Sequence, residues 1–367
     1  MQQKTLNAIA AAGGTGGHLF PAIAVINELA RMLGDSFSAE FIGTSTRIES
    51  RLVPLHGYKL NPIPIIGFSG IFSLNTLKLP FKIWQSVRIS RKLIRKQKAG
   101  FVLCTGAYIS YPAGVAAAKE KVPLVLMESN VSPGKTISML APRADLILTS
   151  FEETAQYFGA PDRGKIHVTG NPIRANLLDL PSREYALAEY GFSGERKTLF
   201  VFGGSLGARS INKAMEEIVP QLAGRNLQLI WQTGKNYSYS GEVPDNVRIS
   251  EFIDDMNLAY AASDLVVARS GATTLAELCA VGKPSLLVPL ATASNNEQEI
   301  NGRYLERQGG AKVILDKDLN AATLNAAIDR LMSNDTERTQ MGRSALALGK
   351  PDATRNAAQK ILELVGW

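Results

Sequence analysis

No stretch of this chain is apolar over the roughly 18 residues or more that a membrane-spanning helix needs. Cysteine is scarce. Cys104 and Cys279 are the only two, far apart and each inside an apolar segment. That excludes a disulfide framework and a thiolate metal site, and reads as two buried free thiols in a reducing compartment. The three histidines, His18, His56 and His167, lack metal-ligand spacing. The start, Met1-Gln2-Gln3-Lys4, runs straight into a strand-like segment without the apolar stretch and cleavage site of a signal peptide. Neither a Gly-x-Gly-x-x-Gly fingerprint nor a P-loop is present, so no dinucleotide or P-loop site is supported. Acid is also missing locally: no Asp or Glu occurs from Ser50 to Lys119.

What is there is an ordinary globular composition, 45% hydrophobic and 20% charged, over 367 residues. That is enough for two to three domains with sizeable cores. Two glycine-rich turns stand out: Gly13-Gly14-Thr15-Gly16-Gly17-His18 and Gly203-Gly204-Ser205-Leu206-Gly207-Ala208-Arg209. Each follows a strand-like run, Leu6 to Ala12 or Thr198 to Phe202. Each precedes a helical pattern, Pro21 to Met32 or Ile211 to Val219. A strand, a glycine turn and a helix N-terminus form an anion-binding corner, because backbone N–H groups point outward and glycine allows close approach. The device opens both halves of the chain, which predicts two nucleotide-binding folds facing a cleft.

Strands and helices alternate throughout. Strands are predicted at 6–12, 39–43, 101–105, 124–128, 146–149 and 166–169, then at 198–202, 227–232, 247–251, 265–268, 285–288 and 312–314. Helical patterns include Asn75 to Lys98, Ala113 to Lys119 and a last amphipathic stretch from Ala353 to Leu364. Such alternation implies α/β domains with parallel sheets and ligands at the C-terminal strand ends. Gly170-Asn171-Pro172-Ile173-Arg174 interrupts the pattern as a linker. The expected division is residues 1–170, with about 352–367 packing back on them, and residues 171–351.

The net charge of +7 is unevenly spread. Lys78, Lys82, Arg88, Arg91, Lys92, Arg95, Lys96 and Lys98 crowd into the acid-free stretch, interleaved with Phe81, Trp84 and aliphatic residues. The apolar loop from Ile65 to Phe72 precedes them. A core-packed helix with a solvated basic face and a nucleic-acid patch are both compatible with this pattern. The missing acids and the Ile-Phe loop favour docking on an anionic membrane surface through Ile71, Phe72, Lys78, Phe81, Lys82, Trp84, Arg88 and Arg91.

The second half holds a sharper signal. Asp264 to Glu277 reads as a strand, a turn and a helix start. The turn offers Ser270, Thr273 and free amides to a diphosphate, and Glu277, one helical turn on, can accept from both ribose hydroxyls. Asn295 to Gly302 clusters amides and carboxylates at a strand end, which suits a neutral polyol such as a sugar. With these segments in hand, the whole chain resembles the MurG family, the N-acetylglucosaminyltransferases of peptidoglycan synthesis. The motifs that carry the likeness are Gly13–His18, Gly170–Arg174, Gly203–Arg209, Glu251–Met256, Arg269–Glu277, and Gln298 with Asn301. Met127-Glu128-Ser129-Asn130 departs from the family's usual His-Glu-Gln-Asn.

The resemblance implies a GT-B fold whose last helix returns to the first domain. It implies inverting transfer from UDP-GlcNAc to the muramyl 4-hydroxyl of lipid I, giving lipid II and UDP at the cytoplasmic face of the cell membrane. Partners would be UDP-GlcNAc, lipid I, the anionic membrane and other cell-wall synthesis proteins, with no nucleic acid. By the family pattern, Thr15, Gly16, Gly17, Arg174, Ser205, Ile253, Ser270, Thr273, Thr274, Glu277, Gln298 and Asn301 serve UDP-GlcNAc. Ile253 would meet uracil through its backbone, and Gln298 and Asn301 would read the sugar. Gly13, Gly14, His18, Tyr108 and Asn130 face the acceptor. His18 is the leading base, as an exposed imidazole titrating near neutrality, and Glu128 is the second candidate. No cofactor or essential metal is expected. Asp316-Lys317-Asp318 reads as a helix cap, and amides with Arg174 can meet the leaving charge. A diacylglycerol glycosyltransferase and a UDP-GlcNAc 2-epimerase remain alternatives on the same fold.

Overall fold

The structure, a computed structural model, describes residues 5–67 and 74–367, apart from the side chains of residues 74–77 and 294. The chain divides into two compact units, Met1–Ile173 with Asp352–Trp367, and Arg174–Pro351. Each is a parallel sheet covered by helices.

The first unit's sheet contains β1 (Leu6–Ala11), β2 (Phe37–Gly43), β3 (Lys59–Pro62), β4 (Phe101–Cys104), β5 (Leu124–Glu128), β6 (Leu146–Thr149) and β7 (Ile166–Val168). The strand order is β3-β2-β1-β4-β5-β6-β7. The central β1 is buried on both faces, which explains its nearly unbroken apolar sequence. Leu6, Ala8 and Ala10 pack with α1 (Gly16–Leu33) and with Ala357, Ala358 and Ile361 of the C-terminal helix Ala353–Val365. Ile9 and Ala11 face the opposite layer, where Val87 and Ile94 of α3 (Leu74–Gln97) meet Ile109 and Ala113 of α4 (Ala107–Glu120). Between β2 and β3 lies the short helix α2 (Ile48–Leu55).

The second unit's sheet contains β8 (Lys197–Phe202), β9 (Leu227–Gln232), β10 (Val247–Ser250), β11 (Leu265–Ala268), β12 (Ser285–Leu287) and β13 (Ala311–Val313), in the order β10-β9-β8-β11-β12-β13. Leu199 and Val201 of β8 pack against the helices Arg209–Ile218 and Ala321–Ser333. Phe200 on the other face meets the ring of Tyr260 edge-on at 5.6 Å.

Most boundaries fall within two residues of the sequence expectation. Besides the early start of α1 at Gly16 rather than Pro21, two departures are larger. β3, Lys-Leu-Asn-Pro, is an edge strand too short and polar to alternate visibly, and its Pro62 is tolerated there. Helix α4 begins six residues before the expected Ala113, because Ser110 and Pro112 look like turn residues. In the structure the Ser110 hydroxyl is buried and donates to the carbonyl of Ala11, which pins the first turn to β1.

Candidate active site

Each sheet reverses its strand order once, between β1 and β4 and between β8 and β11. Successive connections leave such a point in opposite directions and open a crevice at the C-terminal strand ends. Both glycine-rich turns lie there. The helices that begin at these points, α1 after Thr15, Arg209–Ile218 after Ala208 and Ala272–Val281 after Gly271, have no side-chain cap on their first N–H groups. Uncapped starts leave donors and a partial positive charge for an anion.

In the first unit, α1 starts at Gly16, earlier than the pattern from Pro21 implied, so Gly16, Gly17 and His18 form its first turn. His18 is partly buried rather than exposed. Its Nδ1 lies 2.9 Å from the carbonyl of Thr105 at the end of β4, and the Thr105 hydroxyl donates back to the His18 carbonyl at 2.8 Å. A carbonyl can only accept, so Nδ1 carries the proton and Nε2 is the free base. Burial lowers the imidazole pKa from its ordinary 6.5, partly opposed by the Thr105 bond.

The loop is held by Glu49 of α2, a residue the sequence pattern did not reveal. Its carboxylate is fully buried. One oxygen accepts the Gly14 N–H at 2.9 Å, and the other accepts the N–H and hydroxyl of Thr44 at 2.9 and 2.6 Å. A Cβ at Gly13 would stand 2.5 Å from this carboxyl carbon, so glycine is required there by close approach. Glu128 is likewise committed. Its oxygens accept from the backbone N–H of Asn130 at 2.8 Å and of Gly134 at 2.9 Å. These bonds make it a buried clamp on the loop that carries Asn130. Tyr108 lies on the first turn of α4.

In the second unit, a cavity of about 640 Å³ opens at the β8/β11 reversal, lined among others by Gly204, Arg209, Lys213, Arg269, Thr274 and Gln298. Gly207, at φ +81°, passes so close to β9 that a Cβ would lie 2.1 Å from the Thr233 carbonyl oxygen. Asp316 is not a helix cap, because Asn320 caps the following helix. It pairs with Arg269 at 2.6 Å and accepts from Ser210 at 2.5 Å, while Arg269 also donates to the carbonyls of Val288 and Pro289. Sequence spacing gave no hint of this network.

Glu277 is 4% exposed. Tyr260 donates to one of its oxygens at 3.1 Å, and the half-exposed Arg174 approaches the other at 3.6 Å. That second oxygen is buried with no hydrogen bond. Burial raises the carboxyl pKa, opposed by Arg174 and Tyr260. Ser270 and Asn301 are both fully buried. Ser270 donates to the Gln298 carbonyl at 2.7 Å, and Asn301 donates to the Ser270 carbonyl at 3.3 Å. Gln298 is partly exposed, its side-chain oxygen bonded to the Leu290 N–H. The Ile253 N–H is taken by Gln232 at 2.9 Å, which leaves its carbonyl as the free backbone group. Ser205 is exposed, and Thr273 and Thr274 are partly exposed on the helix start. Among the described residues, no group of three His, Cys, Asp or Glu side chains could hold a metal ion.

On α3, Phe81 and Trp84 are more than half exposed and stack at 6.0 Å, with the Arg88 guanidinium 5.7 Å over Trp84. Arg91 and Arg95 are not free cations, since both pair with Glu120 of α4 at 2.5 Å. Lys82 is partly buried and Lys78 exposed. Ile71 and Phe72 lie outside the described residues. Among the described residues, no helix is long and apolar enough to cross a membrane.

Anion-binding reversals in two successive parallel-sheet units, the second backed by a buried carboxylate with an oxygen to spare, are the working parts of a GT-B glycosyltransferase. The sequence agrees: residues 8–149 match the glycosyltransferase family 28 N-terminal domain and residues 198–360 its C-terminal domain. A protein of Finegoldia magna named UDP-N-acetylglucosamine--N-acetylmuramyl-(pentapeptide) pyrophosphoryl-undecaprenol N-acetylglucosamine transferase is 36% identical over 98% of each chain. The crystal structure of Acinetobacter baumannii MurG matches at TM-score 0.79 and 27% identity, covering 98% of this chain and 99% of that one. A UDP-GlcNAc 2-epimerase from Neisseria meningitidis shares the fold alone, at TM-score 0.64 and 14% identity over 98% of this chain and 100% of its own. The chain belongs to the MurG family of N-acetylglucosamine transferases.

Glu49→Ala should leave three donors, the part-buried N–H of Gly14 and the buried N–H and hydroxyl of Thr44, without an acceptor. At roughly 1–3 kcal/mol for each stranded group, the expected loss of stability is about 3 kcal/mol or more. Urea unfolding of the variant checks this, and a loss below about 1 kcal/mol would show that water replaces the carboxylate.

Proposed function

We propose that the chain transfers N-acetylglucosamine from UDP-GlcNAc to the muramyl 4-hydroxyl of lipid I, undecaprenyl-pyrophosphoryl-N-acetylmuramyl-pentapeptide, giving lipid II and UDP. The reading rests on family membership and on one observation above all. His18 is held by its Nδ1–H, so an unprotonated Nε2 stands in the first turn of α1 beside an anion-binding loop. The acceptor hydroxyl gives its proton to this nitrogen as its oxygen attacks the anomeric carbon opposite the UDP. The bond to UDP breaks and the configuration inverts.

The second unit holds the donor. The ribose donates to the unpaired Glu277 oxygen, displacing the half-exposed Arg174 toward the phosphates. The Ile253 carbonyl accepts from uracil N3–H. Amides of the Gly203–Arg209 turn and of the helix start at Ala272, with Ser205, Thr273 and Thr274, meet the diphosphate and the charge that grows on it as UDP leaves. Gln298 reads the sugar, while Ser270 and Asn301 brace the turn that presents it. Thr15, Gly16 and Gly17 supply amides in the first unit, and Tyr108 and Asn130 meet the acceptor. No metal enters these steps.

Purified protein given radiolabelled UDP-GlcNAc and a short-chain lipid I analogue, in EDTA-treated buffer, should form a β-1,4 disaccharide. UDP-ManNAc formed without acceptor would instead favour an epimerase. The base is active when neutral, and burial lowers its pKa, so the acid limb of kcat/KM should lie below pH 6.5. His18→Ala should cut kcat by about 10²–10⁴ and abolish that limb. A limb that persists in the variant assigns the base elsewhere.

Glu277→Ala should weaken UDP binding by about 1.5–3 kcal/mol, the range for a hydrogen bond to a charged group. UDP-GlcNAc should lose as much, because the contact is to the ribose. Calorimetry showing an unaltered UDP affinity would remove Glu277 from the donor site.

We also propose that α3 docks on an anionic leaflet through Phe81 and Trp84, with Lys78, Arg88 and Lys92 meeting headgroups at about 1 kcal/mol each. The list read from sequence is narrowed: Arg91 shares the Glu120 carboxylate with Arg95, and Lys82 is partly buried. Changing Lys78, Arg88 and Lys92 to Gln should preserve UDP binding and reduce co-sedimentation with anionic vesicles by about 100-fold in affinity. Residual wild-type binding should weaken in high salt. Vesicle binding equal to wild type would make this face an ordinary solvated surface.

A further inference from the structure

The cavity at the β8/β11 reversal has Asp316 in its wall, together with Ser210, Arg269, Leu290 and Gln298. Asp316 follows the edge strand β13. A single carboxylate oxygen, Oδ1, accepts from the Ser210 hydroxyl at 2.5 Å and from Nη1 of Arg269 at 2.6 Å. Nη2 of Arg269 closes the triangle by donating to the Ser210 hydroxyl at 2.9 Å. The Arg269 side chain is only 12% exposed, so its charge has to be met inside the protein. Among the described residues, Asp316 is the acid that meets it.

The same guanidinium holds the segment after β12. Its Nη1 also donates to the carbonyls of Val288 and Pro289, each at 3.1 Å. Among the described residues those carbonyls have no other donor, and Pro289 has no N–H of its own. The next residue, Leu290, gives its N–H to the side-chain oxygen of Gln298 at 3.0 Å. That bond uses the amide oxygen and leaves the Gln298 NH₂ as a donor for a sugar oxygen. One line of bonds therefore runs from Asp316 through Arg269 and the 288–290 segment to the Gln298 amide. The Ser210 end is anchored independently, because Ile211, Ala214 and Met215 of its helix are buried in the core. Loss of the carboxylate charge falls on the 288–290 segment rather than on the glycine turn that precedes that helix.

We propose that Asp316 is a positioning residue for sugar recognition: through Arg269 it fixes the segment that orients the Gln298 amide, and so sets how strictly the donor site selects its sugar. The proposal rests on the reading that Gln298 meets the sugar of the donor.

Asp316→Asn keeps the side-chain shape and removes the charge. Asp318→Asn removes an exposed charge two residues on, outside the network. Thermal melting checks that both variants fold. In calorimetry Asp316→Asn should weaken UDP-GlcNAc about fivefold, the scale of turning a charge-assisted hydrogen bond into a neutral one, and UDP by no more than about twofold. Asp318→Asn should stay within about twofold of wild type for both ligands. The preference in kcat/KM for UDP-GlcNAc over UDP-GalNAc should fall about fivefold in Asp316→Asn, with kcat at saturating UDP-GlcNAc within about twofold. In a Gln298→Ala background, the Asp316→Asn step should cost UDP-GlcNAc less than about twofold, because the amide it positions is gone. A full loss persisting in that background would overturn the proposal. Equal weakening of UDP and UDP-GlcNAc would make the pair a general brace of the unit and overturn it too, as would unaltered UDP-GlcNAc binding or the same loss in Asp318→Asn. If wild type binds no UDP-GlcNAc, the donor reading itself falls and the proposal with it.

Discussion

The reversal of strand order at the centre of each sheet is the constraint from which the rest follows. β1 has β2 on one side and β4 on the other, and β8 has β9 and β11. Right-handed crossovers from such neighbours run to opposite faces, so no helix covers the strand ends between them. The exposed backbone there must be satisfied by something. The three helices starting at these points carry no side-chain caps, which leaves their N–H groups for phosphate. Glycine occurs at these turns because backbone passes within van der Waals range of Glu49 in one unit and Thr233 in the other.

Three buried carboxylates show how one residue type can serve as scaffold or as ligand site. Glu49 and Glu128 each have both oxygens occupied by donors from loops at strand ends. Their charge is spent on fixing backbone. Glu277 has Tyr260 on one oxygen and nothing hydrogen-bonded to the other. A buried acceptor without a donor is costly, and a ribose hydroxyl removes that cost. The spare acceptor capacity, rather than the burial, singles out Glu277.

Helix α3 carries three environments along one length. Val87, Leu93 and Ile94 enter the core, which anchors the helix to the sheet. Phe81 and Trp84 remain exposed with Arg88 over the indole, an arrangement that suits a lipid boundary. Glu120 offsets one of the two charges carried by Arg91 and Arg95. The run of basic residues is therefore less positive at its C-terminal end than its sequence implies.

The parallel α/β architecture was legible in the sequence because buried parallel strands are continuous apolar runs and helices keep their 3.6-residue period. Both are local properties. The glycine turns and the position of Glu277 at a helix start were legible for the same reason, since turn chemistry spans a few residues. The short polar β3 carried no such signal, and Pro112 disguised the first turns of α4. What only the tertiary structure decided are pairings between residues distant in sequence: Glu49 with Gly14, Asp316 with Arg269 and Ser210, His18 with Thr105. The same holds for the burial of Ser270 and Asn301 and their bonds to the Gln298 and Ser270 carbonyls. Sequence thus set which residues are chemically able to act. The crossing of loops at the strand ends, which fixes burial and hydrogen-bond saturation, decided which of them have a donor, an acceptor or a charge left to offer.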